Sequence, residues 1–534
     1  MEEKYVLKYF RELDTFSFSE LKKDLMKATE KEISNEELLK IITILKNKRV
    51  IVQCRSKDES ASYKEDFDYS KINYEELDFT KVDPSKQQVF IIRYVGIIVI
   101  KNYVFKCFPK YISTLTNSKQ IEREKNDKLL KKIINVLKIY NSRQERVFSA
   151  TNRTAEEEFD FLDMAIFFLN DYQENGVYYN EKNILEVNGG GEINWSETIN
   201  KVDAILTDRG PVYVELFTES TESDDNDFFR RLHLYIITYC NKILEAADLF
   251  DVLSIDNSFE LFNDVDKYLL GDDDYILERI QKEIGIQFIT RKLELLEKMY
   301  TFISRKNDLD KEYNVSLYGT SSFHVIWEEV CQDVLDNQLY VELGHLPVQS
   351  KLDFSKLASI RYKFVDNDIR IDRAISRLKE MPLNKLIEKP KWHVFNSNHE
   401  HEGNKTYIPD LLQIYEKNGI LHFNILDAKY RNFILDQQRL DNAPGVEEIT
   451  KQYLYQLVLS DLLDSYNFDK NNIKITNSFL FPGEGEIAII LGMAEIKALK
   501  NIPLENILAI KLPANMMYDH YISNIKLKNI EDIV

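Results

Sequence analysis

Tyr407-Ile408-Pro409-Asp410-Leu411-Leu412-Gln413-Ile414-Tyr415-Glu416-Lys417-Asn418-Gly419-Ile420-Leu421-His422-Phe423-Asn424-Ile425-Leu426-Asp427-Ala428-Lys429 is the stretch on which the fold turns. Asn-Gly between two apolar runs is the strongest short-range signal for a β-hairpin, because both residues accept the positive φ of a two-residue turn. Centring the turn on Asn418-Gly419 sets Glu416 opposite Leu421, Ile414 opposite Phe423 and Leu412 opposite Ile425. The apolar pairs make this register self-consistent, since a slip of one residue would turn every side chain to the other face. One step further along, Asp410 faces Asp427.

Two carboxylates opposed on one sheet face repel. A sequence that keeps them there needs a compensating cation, a raised pKa, or enough exposure to screen them. A divalent metal is the simplest answer, and an all-oxygen donor set suits Mg²⁺ or Mn²⁺. Lys429 follows Asp427 by two positions, so it projects from the same face about 7 Å along the strand. There it can orient or help deprotonate a water. A metal that polarises phosphoryl oxygen, with a lysine that positions the nucleophile, is a toolkit for phosphodiester hydrolysis.

Pro409-Asp410, followed at the end of the next strand by Asp427-Ala428-Lys429, resembles the PD-(D/E)xK nuclease signature. The resemblance implies metal ligation by Asp410, Asp427 and the backbone carbonyl of Ala428, with Lys429 assisting the water. It implies an acid from a preceding helix, for which Trp327-Glu328-Glu329 offers Glu328. It also implies a helix carrying Gln and Tyr after the core, and Lys451-Gln452-Tyr453-Leu454-Tyr455-Gln456 offers Gln452 and Tyr455. A narrower likeness covers residues 90–520. Ile91-Ile92-Arg93-Tyr94-Val95-Gly96-Ile97-Ile98-Val99-Ile100, Phe105-Lys106-Cys107-Phe108-Pro109-Lys110-Tyr111, Gly191-Glu192-Ile193-Asn194-Trp195, Trp327-Glu328 and Phe479-Leu480-Phe481-Pro482 resemble the LlaJI-type restriction endonucleases, relatives of McrC-like nuclease subunits. These motifs are mostly apolar, so they speak of kinship more than mechanism. They imply a partner AAA+ GTPase of the McrB type.

Outward from this core the chain divides into a winged-helix-like module at 1–55, an acidic linker at 56–86, a mixed β/α domain at 87–220, a helical segment at 221–315 and the PD-(D/E)xK nuclease domain at 316–534. The expected class is α/β, mixed α+β. The first fifty residues read as three helices and a strand. Ser19 is one candidate N-cap, and Ser34 with Glu37 forms a capping-box pattern at another helix start. Strands are expected at Val89, Gly96 and Tyr103, with Lys101-Asn102 as a turn, and helices over 121–140 and 156–172.

The 534 residues carry a formal charge of −19, which by itself argues against a phosphate-rich partner. The charge is segregated: 101–146 is rich in Lys and Arg, and 224–274 is acidic. The basic stretch can track a nucleic-acid backbone or simply be a solvated helix face. Cys54, Cys107, Cys240 and Cys331 are far apart and lack CxxC spacing, so zinc knuckles and a disulfide framework are not expected, and a reducing, cytoplasmic setting is. No signal peptide or membrane span is expected, since Met1–Tyr9 is charged and no apolar run reaches about eighteen residues. No GxxxxGK[ST] phosphate loop is present. Gly189-Gly190-Gly191 reads as a turn and His399-Glu400-His401 as a polar loop.

The opposed acids and lysine, with what the resemblance implies, point to a metal-dependent endonuclease subunit of a restriction or phage-defence system, acting on double-stranded DNA and directed by a GTPase partner. The alternative is a regulatory or assembly subunit that stimulates the GTPase and cuts little by itself. A DNA-binding protein using only its N-terminal module would leave the opposed carboxylates unexplained.

Overall fold

The computed structural model describes residues 5–29, 33–54, 89–113, 115, 120–149, 161–223, 227–256, 269–309, 315–362, 368–395, 399–465, 472–499, 501–502, 504–530 and 533. The acidic linker at 56–86 lies outside the described residues, as do 156–160 of the helix expected at 156–172. The chain forms two compact units, each assembled from separated segments. One comprises Met1–Val6, Ile98–Val104 and Thr154–Tyr318, the other Leu7–Ile97, Phe105–Arg153 and Gly319–Val534. The expected division at 220/221 therefore falls inside one unit.

The first unit is mainly helical, with Phe161–Asn175, Phe228–Ala246, Asp273–Ile284 and Thr290–Leu309 as its longer helices. Arg291 pins two of them together through Asp171 at 2.8 Å and the Gly176 carbonyl at 2.8 Å. A small sheet pairs Phe217–Ser223 with Glu181–Val187 and with Glu192–Ile193. A Cβ on Gly191 would lie 2.2 Å from the Glu219 carbonyl oxygen, so the strands approach this closely only at a glycine.

In the second unit the N-terminal region departs from its expected order. Val6–Arg11 is a strand, not the first of three helices. Two helices follow, Phe18–Thr29 and Asn35–Asn47. The strand Val89–Ile92 pairs with both Thr15–Ser17 and Ile51–Cys54, so the sheet of this module closes beyond residue 55. Ser34 caps the second helix by accepting from the Glu37 N–H at 3.1 Å, as expected. At the first helix the cap is Ser17 rather than Ser19. Its hydroxyl accepts from the Glu20 N–H at 3.2 Å, and the Glu20 carboxylate accepts from the Ser17 N–H at 2.7 Å.

Three cations of the basic stretch pair with acids of the same chain, one of them inside the fold. Lys106 is fully buried and pairs with Asp127 at 2.9 Å, Lys132 reaches Asp519 at 2.7 Å, and Arg143 reaches Asp333 at 3.2 Å while covering the Tyr521 ring. These cations answer acids of their own chain, which favours the structural reading of this segment over a continuous phosphate track.

The C-terminal part is built on a five-stranded mixed sheet. Its strands are β1 (Leu411–Lys417), β2 (Ile420–Ala428), β3 (Ile473–Gly483), β4 (Ile489–Ala494) and β5 (Ile507–Pro513), in the order β1-β2-β3-β5-β4. β1 and β2 are antiparallel, β2, β3 and β5 are parallel, and β4 closes the sheet antiparallel to β5. Two helices frame it: α1 (Phe323–Val334) before the hairpin and α2 (Val446–Ser465) between β2 and β3. The register is the one read from the sequence, with Leu412 on Ile425, Ile414 on Phe423 and Glu416 on Leu421. Asn418 and Gly419 adopt φ of 54° and 79°, as the two-residue turn requires. Leu412, Ile414, Leu421, Phe423 and Ile425 share one face and pack with Leu459 and Leu463 of α2. Each such side chain contributes about 1.5–3 kcal/mol on burial. The class is mixed α+β, as expected.

Candidate active site

Alternation along β1 and β2 carries the apolar face to its end at Asp410 and Asp427. Asp427 is the last but one residue of β2 and only 5 % exposed. The Asp410 carboxyl accepts the Ala428 N–H at 2.9 Å. Burial first, and then the adjacent Asp427 charge, hold Asp410 well above the usual carboxylate range. An acid held back from ionising beside a second carboxylate marks a site short of positive charge.

Lys429 supplies part of that charge. Its ammonium lies 2.7 Å from Asp427 and 3.3 Å from Glu448. Burial alone would lower its pKa, but the Asp427 and Glu448 carboxylates outweigh burial and raise it. In this arrangement Lys429 is a donor that can orient a water or phosphate oxygen, rather than a base. Its backbone N–H donates to the Leu480 carbonyl at 2.8 Å, extending the β2–β3 ladder by one bond.

The remaining expected residues lie in different relations to this pair. Glu328, on α1, has its pKa raised by burial and then by the Asp427 charge. Its field reaches the pair, yet no three Asp, Glu, His or Cys side chains among the described residues converge as a complete metal-ligand set. Trp327 beside it is fully buried, with its indole N–H 3.4 Å from the Leu480 carbonyl. Tyr455, on α2, is pushed up to about 12 by burial and then by Asp427 and Asp410, which sets its hydroxyl within reach of the acids' field. Gln452, one turn earlier, is fully buried and donates to the Ser478 carbonyl of β3 at 3.2 Å.

Several residues of the site were not singled out from the sequence. The Gln332 amide, one turn after Glu328 on α1, donates to Glu328 at 3.1 Å and to the Asp410 carbonyl at 2.9 Å. Asn337 donates to the same carbonyl at 3.3 Å, while its own oxygen accepts from Leu339 and Leu412 N–H groups, each at 3.1 Å. Two amides thus clamp the backbone that carries Asp410. Glu448 accepts from Arg431 at 2.9 Å as well as from Lys429, and caps α2 through the Gly445 N–H at 2.9 Å. The helical spacing of Glu328 with Gln332, and of Glu448 with Gln452 and Tyr455, is the signal that would have found two of them.

The donor set tests well for a hard divalent cation. Asp410 and Asp427 offer oxygens only, Asp427 is buried and Asp410 half-buried, and the raised pKa of Asp410 is what a nearby cation would reverse. The Ala428 carbonyl adjoins them in sequence. His393, His399 and His401 lie elsewhere, on and beside an exposed hairpin of Lys391–His393 with Glu400–Glu402.

Comparison with known proteins adds the family. A type II restriction enzyme BsuMI component, YdjA, of Bacillus subtilis (strain 168) is 26% identical over 440 residues, covering 81% of each chain. The solved half-complex of Thermococcus gammatolerans McrB AAA+ hexamers with bound McrC contains a chain aligned over 97% of this one and 99% of its own, at 12% identity and a TM-score of 0.36. No helix among the described residues is long and apolar enough to cross a membrane. The family model for the LlaJI restriction endonuclease matches residues 94–373 and 377–514, so the chain belongs to that family.

Proposed function

We propose that this chain is the nuclease subunit of a restriction system and hydrolyses phosphodiester bonds of double-stranded DNA with Mg²⁺ (or Mn²⁺). The observation that carries the reading is the set at the end of β2: buried Asp427 with the Lys429 ammonium 2.7 Å away, and the half-buried Asp410 carboxyl accepting the Ala428 N–H at 2.9 Å. Asp410, Asp427 and the Ala428 carbonyl would hold the cation. Bound there, it supplies the charge that polarises the scissile phosphate and makes a water acidic. Lys429, held protonated by Asp427 and Glu448, orients the water and the phosphate oxygens. Glu328 accepts a hydrogen bond from that water or supports the cation through it, and Gln332 keeps Glu328 in place. Tyr455 and Gln452 set α2 against the site. Partial burial excludes bulk water and strengthens each of these interactions.

The description of the Bacillus relative as a component of a restriction enzyme supports a chain that works as one part of an assembly. The chain has no phosphate loop of its own, which supports nucleotide hydrolysis by another subunit, an AAA+ GTPase of the McrB type. The test is cleavage of plasmid DNA with Mg²⁺ by wild type and Asp427→Ala, each with and without a co-purified AAA+ partner and GTP. The expected result is cleavage by wild type that falls by at least about a thousandfold in the variant, the scale of losing a group that stabilises charge in the transition state. Equal rates would sink the assignment. No cleavage under any condition, with the partner's GTP hydrolysis still stimulated, would support the regulatory role instead.

A further inference from the structure

Tyr430, immediately after Lys429, does something the proposed chemistry leaves unused. Side chains alternate across an extended chain, so Tyr430 points away from the acid pair that Lys429 faces. Its hydroxyl donates to Glu12 at 2.6 Å and accepts from the Lys110 backbone N–H at 3.2 Å. The Lys110 ammonium sits over the Tyr430 ring, 4.6 Å from its centroid. Tyr111 meets the same ring edge-on at 6.4 Å, and Phe323, first residue of the α1 helix that carries Glu328, packs against it at 5.3 Å.

Glu12 is 2 % exposed, a carboxylate drawn from water that accepts from Tyr430 and whose charge also reaches Lys110. Its own backbone N–H donates to the Phe108 carbonyl at 2.8 Å, so Glu12 belongs to the N-terminal strand region and not to the nuclease sheet. Burying such a group costs more than burying a hydrocarbon of the same size. A phenylalanine against a leucine would fill the space, so packing does not account for the pair. What the hydrogen bond adds is direction: it fixes where the chain goes after Ala428. The Leu480 carbonyl already holds the Lys429 N–H, and the Lys429 carbonyl accepts from the Arg431 N–H at 2.9 Å. With Tyr430 anchored to Glu12, the backbone of Lys429 is held from both sides.

We infer that Glu12 is a positioning residue for Lys429, acting through Tyr430, and that it ties the N-terminal module to the active strand. The inference rests on the nuclease reading above and names a control point for it: displacement of the segment bearing Glu12 releases Tyr430 and loosens Lys429. The lysine's distance to the reacting phosphate, rather than metal or DNA affinity, is then what changes.

The test uses the full chain, with the partner wherever wild type requires it, and compares wild type with Glu12→Ala, Tyr430→Phe, the double variant and Glu12→Gln. Single-turnover cleavage gives the rate, its dependence on DNA concentration gives KM, and calorimetry with Mn²⁺ reads the acid pair. Each single variant should lose cleavage rate on the order of tenfold, the scale of a sub-ångström misplacement, with KM and Mn²⁺ affinity unchanged. The double variant should lose no more than either single one, because both break the same bond. Glu12→Gln, which keeps an acceptor for the tyrosine hydroxyl, should recover most of the rate. Variants that melt earlier but cut as fast as wild type, or losses that multiply in the double variant, would overturn the inference. A wild type that binds Mn²⁺ yet cuts nothing would overturn the nuclease reading itself.

Discussion

Asp410→Asn should make the metal-free protein more stable while removing its response to metal. In the wild type, burial and the Asp427 charge raise the Asp410 pKa. The folded state therefore binds a proton more tightly than the unfolded chain. By linkage, the stability this proton supplies is fully present below the unfolded value of 3.8 and is lost as pH rises towards the folded value. At about 1.4 kcal/mol per pH unit, the loss by pH 7 is bounded at about 4 kcal/mol, and Lys429 beside Asp427 brings it below that bound. Asparagine is neutral at every pH, keeps an oxygen for the Ala428 N–H and can donate an amide hydrogen to Asp427. The assay is urea unfolding in EDTA at pH 5 and pH 8, repeated with Mn²⁺. The variant should exceed wild type by more at pH 8 than at pH 5, and Mn²⁺ should stabilise wild type alone. A variant less stable than wild type at pH 8 without metal, or one that Mn²⁺ stabilises equally, would refute the reasoning.

Two further outcomes follow from named contacts. Gln332→Leu removes the amide shared by Glu328 and the Asp410 carbonyl, and should lower cleavage about tenfold with little change in the concentration of DNA that half-saturates it; a change confined to that concentration would assign Gln332 to DNA binding instead. His233 is fully buried, accepts from the Tyr178 N–H at 2.9 Å and has its pKa lowered to about 3, burial being the main cause. The unfolded chain then binds more protons between pH 6.5 and 3, so stability falls as pH drops through that window, by on the order of 2 kcal/mol at pH 5. His233→Gln should flatten this slope in pH-dependent unfolding, and an unchanged slope would place the titration elsewhere.

The hairpin was legible because its evidence is local. Asn418-Gly419 admits one common turn, the turn sets the register, and the register alone puts Asp410 opposite Asp427 with Lys429 on the same face. Ser34 was legible as a cap for the same reason, its partner being three residues away. The misreadings came where a partner lies far along the chain. Val6–Arg11 has helix-compatible spacing, but its amide groups are claimed by a neighbouring strand, and tertiary pairing overrides local preference. Ser19 and Ser17 both precede Glu20, and only the folded chain showed which serine lies outside the helix.

What the sequence determined by itself was the hairpin and its register, and with them the candidate acids and lysine, because a two-residue turn and strict alternation convert spacing into position. What only the tertiary structure decided was their environment. Gln332 and Asn337 reach the Asp410 carbonyl across 78 and 73 residues, and Glu12 reaches Tyr430 across 418. No local rule relates residues so far apart. Their meeting depends on helices and sheets burying one another's apolar faces, and it is that burial which raises the Asp410 pKa.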